Sequence, residues 1–280
     1  MTSVDLQQHL LTSDTEGNLK KWSTNSQRLV NNFGSITSPH VSIIQIEYSN
    51  GFIYSSDTTP NLKIWSISHD QQVLNLSDLR YSGLEQIKEI PQSRFAALCT
   101  IMLSPNCKQL FTLDESSNLK IYDTESNSLF KDIGKVHRSL AVTMAITKNG
   151  YNLFTADIQG ILKQWSLDDY CLIKDFGEIH RSGIFSIDCS SDSKFLFTSS
   201  GDGELKQWSV SRGVLLKDYG KIHDGLIFCI LISDFSERLF TTSCGRMKEL
   251  CLKRRKMIKD YGRIHKKNIF SMALSKDEMF

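Results

Sequence analysis

A recurring phrase constrains the fold of this chain more than any other feature. The stretch IKDFGEIHRSGIFSI, at residues 173–187, returns in closely similar form at 216–230 and at 258–272. The histidine of this phrase recurs in steps of 43, 43 and 42 residues, at His137, His180, His223 and His265. Steps of about 20 to 50 residues are typical of solenoids and propellers, in which each unit buries its apolar face only against its neighbours. We therefore predict an array of similar units.

The pattern inside one period predicts β-strands. Apolar residues alternate in short runs such as GIFSIDCS and ELKQWSV, which are separated by Gly, Ser, Asp or Asn. Alternation punctuated by turn residues is typical of antiparallel strands. Four strands in about 40 to 45 residues make one propeller blade. The expected fold is an all-β propeller of four-stranded antiparallel blades.

The number of blades follows from counting the ends of the third strands. Six such ends occur, at Trp22, Trp65, Tyr122, Trp165, Trp208 and Leu250. This count favours one propeller domain over residues 1–280 with six blades, or seven if the chain is a fragment. The sequence opens at a second strand and stops just after an inner strand, so the N- and C-terminal strands are expected to close the ring and remove its exposed sheet edges. A longer step between the second and third repeats predicts an insertion at about 71–97, which forms a short helix or a long loop.

The unit IHRSGIFSIDCSSDSKFLFTSSGDGELKQWS, at residues 179–209, resembles a WD repeat. It has a His before the inner strand, Ser or Thr in the second strand, an Asp turn and a Trp that closes the third strand. It departs from the family pattern in having Ile-His in place of Gly-His and Trp-Ser in place of Trp-Asp. The resemblance covers nearly the whole chain, and it implies a β-propeller of the WD-repeat type.

The resemblance also implies a hydrogen-bonded set of His, Ser or Thr, Asp and Trp within a blade. The complete set here comprises His180, Thr198, Asp202 and Trp208. The preceding unit matches at His137, Thr155 and Trp165. Gln159 replaces its Asp, and Asp157 is the candidate substitute. Such bonds satisfy buried indole and imidazole groups, which need partners.

Two further expectations concern the same positions. In the blade shared by the two ends of the chain, the set would unite His265 with Thr12 and Trp22. Four repeats also carry an Asp eight residues before the aromatic residue, at Asp14, Asp57, Asp114 and Asp157. We interpret these carboxylates as turn residues that bond their own backbone.

Motifs for catalysis, cofactors and metals are absent from the sequence. It has no Gly-rich phosphate loop, no HExxH and no GxSxG. Its seven cysteines show neither CxxC nor a Cys/His ligand spacing, which argues against a disulfide framework and a structural zinc. We predict no catalytic residue, cofactor or metal. An enzyme with carboxylates from several blades is the alternative.

Charge and hydropathy limit the partners. The net charge of +2 is far below the basic excess of proteins that bind phosphate backbones. No apolar run approaches the ~18 to 20 residues that span a bilayer, and the start of the sequence lacks a secretory signal. We expect a cytoplasmic protein that binds neither membranes nor nucleic acid. The basic run Lys253–Lys256 has two interpretations. It is either a solvated loop or the binding site of a phosphate- or nucleic-acid-binding propeller, which is the alternative function.

The expected function is a non-catalytic scaffold that binds protein or peptide partners on its loop faces, where function concentrates in such frameworks. This function is implied by the resemblance, since fold alone does not establish it. The recurring histidines connect the outer strand of one blade to the inner strand of the next, and we call each such connection a hinge. The residues that follow these histidines vary from blade to blade while the frame repeats. The candidate partner-binding residues are Arg138, Arg181, Asp224, Lys266 and Lys267. The alternative is that these charges only solvate the rim.

Overall fold

The structure is a computed structural model that describes most of the chain. The described residues are 9–13, 18–23, 29–35, 43–49, 52–57, 61–67, 84–91, 98–233, 238–266 and 268–269. All regular elements in this part of the chain are β-strands, which form five four-stranded antiparallel sheets and one three-stranded sheet. The prediction of an all-β chain built from four-stranded antiparallel sheets, as in a propeller, is confirmed.

The strands follow one another in chain order within each sheet. The first sheet contains β1 (His9–Ser13), β2 (Asn18–Ser23) and β3 (Leu29–Ser35). The second contains β4 (Ile43–Ser49), β5 (Phe52–Asp57), β6 (Asn61–Ile67) and β7 (Leu84–Pro91). The third contains β8 (Leu98–Leu103), β9 (Gln109–Asp114), β10 (Asn118–Asp123) and β11 (Ser128–Lys135).

The remaining three sheets repeat the same plan. The fourth contains β12 (Ala141–Ile146), β13 (Asn152–Asp157), β14 (Ile161–Ser166) and β15 (Leu172–Glu178). The fifth contains β16 (Ile184–Cys189), β17 (Phe195–Ser200), β18 (Glu204–Ser209) and β19 (Val214–Lys221). The sixth contains β20 (Cys229–Ile232), β21 (Arg238–Ser243), β22 (Arg246–Cys251) and β23 (Lys256–Arg263).

Contacts divide the chain into two compact units. The first comprises residues 1–103 and 107–134, and the second comprises residues 104–106 and 135–280. The last three sheets therefore belong to the second unit. No helix in the described ranges is long and apolar enough to cross a membrane.

The segment at about 71–97, for which the sequence indicated a short helix or a long loop, contains β7. This strand pairs with β6 as the fourth strand of its sheet, with Ile64 opposite Lys88. The rest of the segment, 71–83 and 92–97, lies outside the described residues.

The second strand of each sheet from the third to the sixth is buried on both faces. These strands read QLFTLD, NLFTAD, FLFTSS and RLFTTS, and all but their first residues are buried. In the second unit one apolar cluster joins Phe154 and Leu162 of the fourth sheet to Ile184 and Leu196 of the fifth. Within the second unit neighbouring sheets thus share apolar clusters, which explains why their middle strands lack a solvent face.

The outer strands of the second unit pair with their third strands through two bulges each. Lys206 lies opposite Asp218 and Leu205 opposite Gly220, so Tyr219 is an extra residue in the ladder. Gly220 has a φ of +64°, the left-handed conformation that such a bulge needs. β15 and β23 have bulges at the equivalent positions. The repeated Lys-Asp-Phe/Tyr-Gly part of the phrase therefore encodes a bulged outer strand.

Candidate functional site

The histidine of each repeat lies between the outer strand of one sheet and the inner strand of the next. In the fourth sheet, His137 is 2% exposed and lies 2.8 Å through Nε2 from Thr155 Oγ1. The indole Nε1 of Trp165 donates to the same hydroxyl at 3.0 Å. Nδ1 lies 3.2 Å from Asp157 Oδ2. The structure brings all four side chains together in one buried chain of hydrogen bonds.

The chemistry of the end groups sets the direction of this chain. An indole only donates and a carboxylate only accepts, so with a neutral ring Thr155 donates to Nε2 and Nδ1 donates to Asp157. Asp157 Oδ1 also accepts the backbone N–H groups of Gln159 and Ile161, at 3.0 Å each. Burial alone would raise the pKa of Asp157, but the bonds from His137 and from the backbone lower it below its usual value. Gln159, which holds the expected Asp position, is exposed.

The fifth sheet has the same arrangement without its carboxylate. His180 Nε2 lies 2.8 Å from Thr198 Oγ1, and Trp208 Nε1 donates to that hydroxyl at 3.0 Å. Asp202, expected to complete this set, instead accepts a hydrogen bond from Ser200 Oγ. The physical reason is the residue at the position of Asp157. Ser200 occupies it here and holds the Asp202 carboxylate away from the histidine.

The second ring nitrogen of His180 consequently lacks a good hydrogen-bond partner. Nδ1 is buried and lies 3.5 Å from Glu204 Oε2, too long for a strong hydrogen bond. Burial, and next the positive charge of Lys206, lower the pKa of His180 to about 4. The ring is therefore neutral near pH 7 and acts as part of the frame.

The sixth sheet contains a third hydrogen-bonded pair of a histidine and a threonine, which was not identified from the sequence. His223 Nε2 lies 2.9 Å from Thr241 Oγ1, and Leu250 takes the place of the tryptophan. Burial, followed by the charge of Lys248, lowers the pKa of His223 to about 4. The constant spacing of 18 residues between the histidine and the threonine was the signal that identifies this pair.

The set predicted for the two ends of the chain lies mostly outside the described residues. Thr12 and Trp22 lie in β1 and β2, and only their backbone is described. His265 is exposed, in contrast to the three preceding hinge histidines. Its backbone N–H donates to Gly245 O at 3.1 Å. The union of His265 with Thr12 and Trp22 stays a prediction.

The predicted Asp turns occur at the two positions where side chains are described. Asp114 Oδ1 accepts the N–H groups of Ser116 and Asn118 at 2.9 Å each. Asp157 makes the equivalent bonds in the next sheet. Asp57 ends β5 with its side chain outside the described part, and Asp14 lies outside it altogether.

A lysine in each third strand of the second unit fixes the segment that carries the histidine. Lys206 Nζ donates to Ile179 O at 2.7 Å and lies 3.9 Å from the Asp218 carboxylate. The equivalent donations are from Lys163 to Val136 O (2.9 Å) and from Lys248 to Ile222 O (2.6 Å). The aspartate of the repeated phrase is thus the counter-charge of this lysine. Neither residue was identified from the sequence as part of the hinge.

A glycine carbonyl completes the hinges of His180 and His223. Gly203 O accepts the N–H groups of Ile222 at 2.9 Å and His223 at 3.3 Å. Gly160 accepts the corresponding bonds from Ile179 and His180. Together with the buried ring and the lysine, these bonds hold the residue after each of these two histidines in a defined position.

The residues after the histidines are the candidate partner-binding residues. Arg138, Arg181, Asp224 and Lys266 are all exposed. Lys267 lies outside the described residues. The four described side chains all belong to the second unit, at the end of its sheets where the histidines lie. We call this end the histidine side.

An exposed apolar group lies on the same side and was missed by the sequence analysis. Phe185 and Ile158 are 38% and 42% exposed. A Cβ added at Gly201 would lie 3.2 Å from the Phe185 ring and 3.5 Å from Leu226, and one added at Gly183 would meet Ile158 and Phe185. The two glycines make room for the Phe185 ring, which lies close to Leu226, and Gly183 also approaches the backbone of Ile158. The sequence signal for this group was an aromatic residue near the start of the inner strand, Phe185, together with a glycine after the second strand, Gly201.

The described side chains form no cluster of potential metal ligands. No group of three or more His, Cys, Asp or Glu side chains among them is placed to hold a metal ion. Burial raises the pKa of the Cys99 thiol to about 11 and raises that of Cys189 further, so neither is a ready nucleophile. The histidine side offers charged and apolar contact surface, which suits binding.

Comparison with known protein families gives one match. Residues 172–209 match the WD40 family model, described as the WD domain, G-beta repeat. The match begins at the outer strand β15 and ends with β18, so it covers one hinge and the first three strands of the fifth sheet. No curated protein matches the chain. The matched repeat and the succession of four-stranded antiparallel sheets fit a WD-repeat β-propeller family.

Proposed function

We propose that this protein is a non-catalytic scaffold that binds protein or peptide partners on the histidine side of its second unit. The observation that carries the proposal is the contrast between adjacent positions. His137, His180 and His223 are at most 4% exposed, whereas the residue after each is an exposed charge. The frame is constant and the presented charge differs, as recognition of an asymmetric peptide requires.

The apolar group supplies the second requirement of a binding surface. Binding energy at protein interfaces is concentrated in a few large side chains, with charges around them that set orientation and partner choice. Phe185 is an exposed aromatic residue whose position is defined by two glycines and by Leu226. We assign it the anchoring role, and we assign the selection of the partner's charges to Arg138, Arg181 and Asp224.

The experiment is affinity capture from cell extract with identification of partners by mass spectrometry. The test variant reverses three charges, Arg138→Glu, Arg181→Glu and Lys266→Glu. The matched control reverses three exposed cations away from the histidine side, Lys148→Glu, Lys194→Glu and Arg212→Glu, and so has the same net charge. Thermal unfolding first checks that both variants are folded.

We expect the test variant to lose specific partners that the wild type and the control retain. Phe185→Ala is expected to weaken the binding of the same partners by about tenfold or more, because we propose that the aromatic ring becomes buried against the partner. Identical partner sets for the wild type and the folded test variant would refute the proposal.

A further inference from the structure

The outer strands of four successive sheets each carry two adjacent exposed apolar residues near their start. The pairs are Leu129 and Phe130 in β11, Leu172 and Ile173 in β15, Val214 and Leu215 in β19, and Met257 and Ile258 in β23. They are between 43% and 54% exposed. Each strand is the last of its sheet and so lies at a sheet edge. Natural proteins blunt apolar edges unless the surface is used.

In β15 and β23, a bulge explains why two neighbouring side chains are exposed together. In β23, Met257 lies opposite Leu250 and Lys259 opposite Glu249, which leaves Ile258 as an extra residue. A bulge bends and twists the edge, and it interrupts the row of backbone groups that another strand needs. The surface of β23 is therefore suited to contact through side chains and unsuited to strand addition.

The turns that lead into these strands differ in charge. The turn before β15 carries Asp168 and Asp169, and the turn before β19 carries a single cation, Arg212. The turn before β23 continues into the strand with four exposed cations, Lys253, Arg254, Arg255 and Lys256. In the described part of the chain, no ion pair joins any of these four to a carboxylate.

The basic turn has a defined conformation. Arg255 has a φ of +51°, and the N–H of Arg254 donates to Cys251 Sγ at 3.3 Å. Leu252 of this turn and Tyr219 of β19 pack against the same apolar cluster. The cations are therefore presented from an anchored turn beside the exposed pair of β23.

The outer strand of the fourth sheet contacts the fifth sheet near the start of β19. Lys174 Nζ in β15 donates to Gly213 O at 2.6 Å, immediately before Val214. Phe176 of β15 packs edge-on against Trp208 of the fifth sheet, with ring centroids 5.7 Å apart. β15 thus lies beside the start of β19, and of these outer strands only β23 follows a turn with a concentration of positive charge.

We infer that Met257, Ile258 and the basic turn bind an acidic amphipathic helix of a partner protein. The aliphatic face of such a helix would cover Met257 and Ile258, and carboxylates along its border would face Lys253–Lys256. Aliphatic residues every three to four positions form one helix face, and a basic site is complementary to acidic flanks. Self-association through this surface would place two clusters of cations against each other, and their repulsion disfavours it. A phosphate ligand would leave the apolar pair without a role.

This surface lies at the opposite end of the sheets from the histidine side, because antiparallel third and outer strands join there. The inference consequently does not depend on the proposed function. The two can fail independently, since they use different residues.

The test uses fluorescence anisotropy with the full chain and a labelled synthetic helix of leucine and glutamate, with leucine every three or four residues. One comparison peptide has the same composition in scrambled order, and another has lysine in place of glutamate. The test variants are Met257→Ser/Ile258→Ser and Arg254→Glu/Arg255→Glu. The matched control is Leu129→Ser/Phe130→Ser, an exposed apolar pair that follows a turn containing Glu125 and no cation.

We expect the amphipathic acidic peptide to bind the wild type and the control equally, and each test variant to bind it about tenfold or more weakly. Both comparison peptides should bind weakly to the wild type. Three outcomes would overturn the inference: no binding by the wild type, full binding by the folded Met257→Ser/Ile258→Ser variant, or preferential binding to phosphatidylserine vesicles over the peptide.

Discussion

One residue position decides how the histidine of each hinge is held. Asp157 occupies that position in the fourth sheet and accepts a hydrogen bond from His137 Nδ1, whereas Ser200 occupies it in the fifth and binds Asp202. The same fold therefore contains a complete polar chain in one sheet and an incomplete one in the next. A buried hydrogen-bond network in which every polar group has a partner stabilises a core. The loss of one member leaves its buried partners without a hydrogen bond, at the full cost of their desolvation.

The contrast predicts different costs for two matched substitutions. Asp157→Asn removes the charge and one acceptor from a fully buried site, so we expect it to lower the free energy of unfolding by about 2 kcal/mol. Asp202→Asn leaves an oxygen that still accepts from Ser200 at a half-exposed site, so its cost should stay below about 1 kcal/mol. Urea denaturation of the two variants measures both values. Equal costs would show that the bond to His137 contributes nothing.

At the scale of elements, the repeated phrase combines a bulge, a lysine anchor and a glycine turn. Asp218 illustrates the combination, because its carboxylate accepts the N–H of Gly220 at 2.7 Å and also faces Lys206. Lys206 in turn binds the carbonyl of Ile179, which directly precedes a hinge histidine. The outer strand of a sheet and the segment that enters it are thus fixed by the same side chains, and the phrase recurs as a whole.

Two glycines of this combination should respond differently to alanine. Gly203 has a φ of +90°, and its Cβ would collide with the carbonyl of His223. Gly220 has a φ of +64° and open space around it. Gly220→Ala should cost about 1 to 2 kcal/mol from the left-handed conformation alone. Gly203→Ala should cost well above that, because the hinge backbone itself must move.

Thermal unfolding of the two alanine variants, with circular dichroism as the readout, tests this order. The wild type sets the reference midpoint. A Gly203→Ala variant as stable as Gly220→Ala would show that the approach of His223 to the turn is unimportant for stability.

At the scale of the whole molecule, buried histidines make stability depend on pH. His180 and His223 have pKa values of about 4 when folded, while an unfolded histidine titrates near its usual value of 6.5. Between these values the unfolded chain binds protons that the folded chain does not. Acidification in this window therefore favours unfolding, and the stability is fully present only above about pH 6.5.

We expect a loss of about 2 kcal/mol for each of the two histidines between pH 7 and pH 5. Urea denaturation at both pH values measures the loss. The variant His223→Gln should begin less stable at pH 7 but lose less on acidification, because one of the two proton sites is gone. A variant with the same pH dependence as the wild type would contradict the assignment.

Much of the frame could be predicted from the sequence because its causes are local or periodic. The alternation of apolar residues predicted the strands, and the step between histidines predicted similar sheets. Asp114 and Asp157 bond backbone groups within four residues, so their turns were also predictable. The partner of Asp202 was not, because it depends on whether the side chain two positions earlier is an acid or an alcohol.

The sequence by itself determined the all-β class, the repeat, the histidine, threonine and tryptophan residues of the hinges and the charged residues that follow the histidines. Only the tertiary structure decided which carboxylate meets His137, where the amine of Lys206 ends, and how Phe185 rests over two glycines. It also decided that the apolar pair of β23 meets a basic turn at an exposed edge. The contacts of His137, Lys206 and Phe185 join side chains from separate strands, and such distances are set by sheet packing rather than by spacing along the chain.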